Sequence, residues 1–317
     1  MRGGSAARMV PLAAEAAKDS PGKMSSMDKS STATTSSDPH PLFRAVWYGA
    51  NCLLILAILA ATYSCVWEYS TRRYLNGFSD AIVPESSSAQ EKIEAILNWM
   101  SHGPARQDEV LPTSSPDRDP TDTLNYASLL QVCGSATNAF VNLADSAGLP
   151  ARRLLLLDSR RMTRHVVAEV AVDGRWIVVD PAFRAIFRGA SGELLTREEL
   201  RNPAVFAAAT SRVHGYDPTY TFDVTAHVRI SRLRFAGIPI RHFLDRFVPG
   251  WEDSVTVSLM LERESLAAMV ITLLLVAFLA LVRIGLRWYG ERRLGVRPVR
   301  IRQQFRRALH AFVDTAG

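Results

Sequence analysis

Two long apolar stretches, at 45–67 and 266–282, interrupt a chain in which apolar and polar residues otherwise alternate. Neither stretch contains Asp, Glu, Lys or Arg. At about 1.5 Å per residue, a helix over the first stretch crosses a hydrocarbon core of about 30 Å, and the second does so if its helix continues past Arg283. Trp and Tyr residues lie near the ends, as they do at membrane interfaces. The pattern predicts transmembrane helices at 45–67 and 265–286, and it excludes a soluble single domain.

A cleaved signal peptide is the alternative interpretation of the first stretch. Signal peptides have an apolar core of about 7–15 residues followed by a cleavage site of small residues. This stretch is longer and ends in the bulky sequence Tyr63-Ser-Cys-Val-Trp67, which favours an uncleaved anchor. The preceding residues, 1–44, are rich in Ser, Thr and Ala with little periodicity, and we expect them to form a disordered cytoplasmic tail.

Charge is distributed unevenly along the 317 residues. The formal net charge is +6, but it divides into +2 over 1–44, −3 over the middle of the chain and +7 over 283–317. Basic residues flank membrane helices on the cytoplasmic side. We therefore expect a two-pass protein of the cell (inner) membrane with both termini cytoplasmic, an extracytoplasmic domain at 68–264 and a basic cytoplasmic tail at 287–317. The basic ends report orientation, so nucleic acid is not an expected partner.

The central domain is predicted to begin with two helices, and Cys133 lies at the start of the second. Ser88 and Glu91 form a capping-box pattern before apolar residues at helical spacing, which predicts a helix from 89 to about 101. A polar, Pro-rich loop follows. A second helical pattern begins at about Gln131 and closes at Gly148, so Cys133 is predicted at that helix's N-terminus.

The dipeptide Asp173-Gly174 lies between two apolar runs and predicts a two-residue β-hairpin turn. In that register Val172 pairs with Arg175, and Asp180 lies opposite Val167. His165 then shares a face of the sheet with Asp180 as a diagonal neighbour, at a Cα separation of roughly 7–8 Å. The hairpin alone therefore predicts a contact between His165 and Asp180.

Cys133 is the only cysteine of the predicted extracytoplasmic domain, because Cys52 and Cys65 lie in the first apolar stretch. A buried, inert cysteine is one interpretation. The other is a nucleophile, because the N-terminus of a helix favours the thiolate. With His165 as the base and Asp180 as the group that orients it, the residues match a Cys-His-Asp triad.

The quoted motifs resemble the transglutaminase-like superfamily. They are Cys133, then Gly148-Leu-Pro-Ala-Arg152, then His165-Val-Val-Ala-Glu-Val, and finally Asp173-Gly-Arg-Trp-Ile-Val-Val-Asp180-Pro181. The resemblance implies a papain-like α+β core at about 89–184, in which a helix bearing the cysteine packs on an antiparallel sheet bearing the histidine and aspartate. It implies catalytic roles for Cys133, His165 and Asp180 in a bacterial-type, membrane-anchored member. The Gly-Gln-Cys-Trp context of the calcium-dependent crosslinking enzymes is absent.

These features predict a cysteine enzyme that performs acyl transfer or hydrolysis at an amide through a thioester. The expected substrate is a cell-envelope peptide, protein or polysaccharide-linked amide, and the lipid bilayer and a membrane complex are the other expected partners. The alternative is an inactive domain that serves as a scaffold or binding module of an envelope assembly. The backbone N–H of Cys133 is one candidate oxyanion donor; Gln131 and Asn125 are others, although capping and loop roles are commoner for such residues.

The remaining polar residues carry weaker signals. No His and Cys spacing predicts a metal site, and no cofactor is expected. Arg152 and Arg184 flank the triad segments and suit an acidic substrate, with surface salt bridges as the commoner alternative. Alternation over 222–230 predicts a half-buried strand with His227 on its solvated side.

Overall fold

A computed structural model of the protein describes residues 40–102, 120, 124, 132–228 and 240–295, with the backbone alone for 240–243. The candidate residues Gln131 and Asn125 lie outside this range, as do most of both predicted tails. The described helices are α1 (Pro41–Ile82), α2 (Ala89–Ser101), α3 (Cys133–Ser146), α4 (Arg197–Leu200), α5 (Pro203–Thr210), α6 (Ile240–Phe247), α7 (Val255–Glu262) and α8 (Glu264–Arg293). The described strands are β1 (Ala151–Leu157), β2 (Thr163–Val172), β3 (Arg175–Asp180), β4 (Ala185–Ile186) and β5 (Thr225–Ala226).

Helices α1 and α8 are long and apolar enough to cross a membrane. Both are longer than the apolar stretches that predicted them, and α1 continues fifteen residues past Trp67 to Ile82. They run antiparallel: Phe43 lies against Gly290, where a Cβ atom would come within 2.5 Å of its ring. Farther along the pair, the Nε of Arg283 donates to Oδ1 of Asn51 at 2.9 Å. The pairing brings Phe43 and Gly290 to the same end of the helix pair.

The described strands form an antiparallel sheet in the order β4-β3-β2-β1-β5. Asp173 and Gly174 occupy the turn between β2 and β3 with φ of 48° and 78°, the left-handed conformation that a two-residue hairpin turn of type I′ requires. Val172 pairs with Arg175 and Ala168 with Val179, so the register predicted from this dipeptide is confirmed. The mixed helical and antiparallel fold agrees with the α+β class expected from the sequence.

The sheet buries both of its faces. One face packs against α2 and α3, through residues such as Phe140 and Val170, and this cluster continues into Leu75 of α1. The other face packs Val167 and Val178 against an aromatic group that follows β3. Because successive side chains of a strand point to opposite faces, β2 supplies both clusters in alternation. Buried on both sides, the sheet holds its side chains in fixed positions.

A buried polar network, formed by Glu68, Asn142, Asp145, Arg263 and Ser265, joins the two apolar helices to α3. Arg263 is 1% exposed. Its guanidinium donates to Asn142 at 2.8 Å, to Asp145 at 2.9 Å and to Glu68 at 3.2 Å. Ser265 donates to the other oxygen of Glu68 at 2.7 Å. Buried charges of this kind are tolerated only where such partners compensate their desolvation.

A second buried cluster shows that the expectation for His227 is wrong. Within 222–228, the described part of the predicted strand 222–230, the strand comprises Thr225–Ala226, and His227 is 3% exposed. Its Nε2 lies 2.8 Å from Oε2 of Glu169 and its Nδ1 lies 2.7 Å from Asp253. The sequence pattern did not reveal that a later turn, Trp251–Asp253, covers this side of the chain.

Candidate active site

Cys133 is the first residue of α3, as its sequence context predicted. The preceding residue, Val132, occupies the N-cap position and its side chain makes no capping hydrogen bond, since it has no acceptor atom. The partial positive charge of the first amides of the helix favours a thiolate at Cys133. The cysteine is neither fully buried nor fully exposed, as a nucleophile that must meet a substrate requires.

Helix α3 is fixed against β2 one turn after Cys133. The hydroxyl of Thr137 donates to the backbone carbonyl of Val166 at 3.1 Å, and both residues are buried. Val166 directly follows His165 in the strand. This hydrogen bond therefore determines how the start of α3 is placed relative to the imidazole, which chain spacing alone cannot give.

His165 and Asp180 form a hydrogen-bonded pair, each 0% exposed. The Nε2 atom of His165 lies 2.7 Å from Oδ2 of Asp180. The second oxygen of Asp180 accepts the backbone N–H groups of Ala182 at 3.1 Å and Phe183 at 3.2 Å. The aspartate is thereby held in one orientation, and it holds the imidazole in turn.

The environment of His165 favours its protonated form. Burial by itself lowers the pKa of the imidazole, but hydrogen bonding to Asp180, hydrogen bonding to Cys133 and the negative charges of the two groups outweigh burial and raise the pKa to about 9. Within the described residues, the other ring nitrogen, Nδ1, has no hydrogen-bond partner at both a suitable distance and a suitable angle. With Nε2 engaged by Asp180, Nδ1 is the nitrogen left to exchange a proton with the thiol.

Aromatic side chains that the sequence analysis did not single out enclose this imidazole. Tyr220 stacks on it with ring centroids 4.3 Å apart and planes 3° from parallel. Phe183 and Tyr216 meet it edge-on at 5.7 Å and 6.2 Å. Burial, followed by the negative charge of Asp180, raises the pKa of the Tyr216 phenol, so it stays neutral. In the sequence, the clustering of Tyr216, Tyr220 and Phe222 could have indicated an aromatic group, but it does not indicate that the group packs on His165.

Arg152 and Arg184, the two arginines noted from the sequence, have different environments. Arg152 is 7% exposed, donates to Glu169 at 2.8 Å and lies 4.0 Å above the ring of Trp176. It is therefore a buried structural residue. Burial raises the pKa of Glu169, but the hydrogen bond with His227 and the charge of Arg152 lower it more, so the pKa lies below its usual value. Arg184 instead lines an open cavity.

Comparison with known proteins found a family model that is similar to part of the chain. Residues 76–181 match the family model of the transglutaminase-like superfamily. The matched range covers α2, α3 with Cys133, β2 with His165 and β3 with Asp180. The match covers about a third of the chain and supports the resemblance that the motifs indicated. The comparison with curated proteins and the comparison with solved structures each gave no match. Within the described ranges, no three His, Cys, Asp or Glu side chains gather as metal ligands do.

Proposed function

We propose that the protein is a membrane-anchored cysteine enzyme that performs acyl transfer or hydrolysis at an amide through a thioester on Cys133. The observation that carries the proposal is the buried hydrogen bond between His165 and Asp180 beside a cysteine at a helix N-terminus. A carboxylate and a thiolate on either side of one imidazole favour a thiolate–imidazolium pair. A domain that had only a scaffold function would not need this arrangement.

The geometry supports a two-step reaction. In the first step, the Cys133 thiolate attacks the carbonyl carbon of the amide, and the N–H of Cys133 is a donor to the oxyanion. The imidazolium of His165 gives its Nδ1 proton to the leaving amine as the C–N bond breaks, which leaves a thioester. In the second step, His165 takes a proton from water or from an acceptor amine as that molecule attacks the thioester, and Cys133 is released as a thiolate.

The placement at a membrane is also part of the proposal. Only 22% and 11% of the most apolar windows of α1 and α8 are buried within the protein, so their apolar side chains face outward, unlike those of a core helix. The antiparallel pair brings the start of α1 and the end of α8 to one side, and the basic segments 1–44 and 287–317 adjoin these two helix ends in the sequence. We place both termini in the cytoplasm and the transglutaminase-like domain outside it, at the inner membrane, where its substrate is an envelope peptide, protein or polysaccharide-linked amide.

Alkylation of the intact protein in detergent tests the proposal. Iodoacetamide labelling of Cys133 is followed by mass spectrometry between pH 6 and pH 8, with the urea-unfolded protein as the reference for an ordinary thiol. A thiolate–imidazolium pair makes the rate nearly independent of pH in this range, whereas an ordinary thiol of pKa about 8.5 gains about tenfold per pH unit.

The variant His165→Ala supplies the second arm of the experiment. Without the imidazolium, labelling of Cys133 is expected to acquire the steep pH dependence of an ordinary thiol. If Cys133 of the unaltered protein already shows that dependence, or does not react while folded, no ion pair exists. The enzyme proposal then fails in favour of a scaffold or binding role.

A further inference from the structure

A cavity of about 410 Å³ opens between the segment after β3 and the end of α5. Its polar lining consists of Arg184, Arg188, Arg212 and His214, and its other walls are apolar. Of the described residues that line it, none carries a carboxylate. The cavity is therefore strongly cationic, because a guanidinium keeps its charge at any accessible pH.

The cavity lies next to the His165–Asp180 pair. Phe183 forms part of its wall, and the same ring meets His165 at 5.7 Å. The backbone N–H of Phe183 also donates to Asp180. The turn that orients the aspartate is thus one wall of the cavity, and Phe183 both lines the cavity and contacts the imidazole.

The cationic charge is only partly neutralised. Arg188 forms an ion pair with Glu94 at 2.8 Å, but Arg184 and Arg212 form no ion pair with any described residue. Arg184 also adopts a φ of 55°, a left-handed conformation that costs a residue with a side chain about 1 kcal/mol or more and recurs where ligands are held. Uncompensated guanidinium groups around a concave site attract anions and bind carboxylate or phosphate oxygens in pairs.

We propose that this cavity is a substrate subsite that binds an anionic group, a carboxylate or a phosphate, carried by the acyl substrate near its scissile amide. The proposal deepens the function proposed above and rests on it. Arg184 and Arg212 supply the charge-assisted hydrogen bonds, and the apolar walls exclude water. Substrates with an acidic group that reaches the cavity are selected over neutral ones.

A matched series of alkylating reagents tests the subsite on the intact protein. Each reagent carries the same iodoacetyl group and linker, and ends in a carboxylate, a phosphonate or a neutral carboxamide. In each case the Cys133 thiolate displaces iodide from carbon and forms an S–C bond. Bound anionic ends concentrate the reagent beside the thiolate, so the acidic reagents are expected to react about tenfold faster than the carboxamide. The faster acid identifies which anion the subsite prefers.

Variants separate the cavity from the active site itself. The double variant Arg184→Gln/Arg212→Gln is expected to lose most of the preference for acidic reagents while its rate with iodoacetamide is unchanged. Arg175→Gln, which alters an exposed arginine paired with Glu199, is the matched control and keeps the preference.

Equal rates for acidic and neutral reagents on the unaltered protein, with a flat iodoacetamide pH profile, would overturn the subsite and leave the enzyme proposal standing. A preference that persists in the double variant would also overturn it, because the anion would then be held by His165 or by the start of α3. Steeply pH-dependent iodoacetamide labelling refutes the enzyme proposal, and with it the subsite.

Discussion

Replacement of Asp180 by Asn is the sharpest test of the charge arrangement around His165. The raised pKa, about 9 against 6.5, corresponds to about 3 kcal/mol of preference for the imidazolium over the neutral ring, at about 1.4 kcal/mol per unit. Burial opposes that charge, so the anionic partners carry all of the preference. The hydrogen bond to Asp180 is the larger of the contributions that raise the pKa.

Asn at position 180 is expected to keep the fold and remove the charge. Its side-chain oxygen still accepts the N–H groups of Ala182 and Phe183, while its amide donates to Nε2 of His165. The imidazole must then carry its proton on Nδ1, the nitrogen that should accept the proton of the thiol. We expect the population of the ion pair relative to the neutral pair to fall by about two orders of magnitude.

The assay is the iodoacetamide pH profile of Cys133 in Asp180→Asn beside that of the unaltered protein. The variant is expected to change from a flat profile to one that rises about tenfold per unit between pH 6 and pH 8. Glu198→Gln is the control, since it removes a carboxylate whose side chain is 61% exposed and should leave the profile flat. A flat profile in Asp180→Asn, at an unchanged melting temperature, would refute the assigned role of this carboxylate.

Three further predictions concern the groups that hold the site in place. Arg263→Met leaves the buried carboxylate of Glu68 with Arg72 as its remaining guanidinium partner among the described residues. The variant should cost about 1–3 kcal/mol, a fall in melting temperature of roughly 2–12 °C in detergent. Glu68→Leu added to it should recover part of the loss; an unchanged melting temperature in the single variant would contradict this. Glu169→Gln should lower the melting temperature at pH 7. Because the folded-state pKa of Glu169 lies below the ordinary value of 4.5, the stability that its carboxylate contributes is present above about pH 4.5 and is lost as the pH falls through the folded-state pKa. The melting temperatures of the variant and the unaltered protein should therefore converge in acid; a difference that does not change with pH argues against this. Thr137→Val should cost about 1–2 kcal/mol by leaving the carbonyl of Val166 unpaired, with Thr137→Ser close to the unaltered protein; equal stability of the two variants is the contrary result.

Local chemistry made part of the fold predictable. The turn at Asp173-Gly174 determines the register of β2 and β3 because both residues adopt the left-handed conformation, so the approach of His165 to Asp180 follows from a dipeptide. The capping boxes that open α2 and α4, at Ser88 and Thr196, are likewise encoded within four residues. Such features need no knowledge of the rest of the chain.

Contacts between distant segments were not predictable in this way. His227 was expected on a solvated face of the strand. Alternation indicates on which face of a strand a residue lies, but it does not indicate whether a segment later in the chain covers that face. Its partners Glu169 and Asp253 lie on β2 and in the turn before α7. The stacking of Tyr220 on His165 and the cationic cavity were not predictable for the same reason. Each is formed by segments that are distant in the sequence, and no sequence pattern indicates that these segments meet.

The buried network around Arg263 means that the protein has no physical boundary between its two long apolar helices and the domain that bears Cys133, His165 and Asp180. The family match begins at residue 76, yet Glu68 of α1 and Arg263 at the start of α8 hold the helix that begins with Cys133. Excision at residue 76 would remove Leu75 from the core and leave Arg263 without Glu68, and excision at residue 181 would leave Glu68 and Asp145 without Arg263. The apolar helices are thus structural members of the domain itself, and a tilt or separation of the pair would displace Arg263 from its partners on the helix that begins with Cys133.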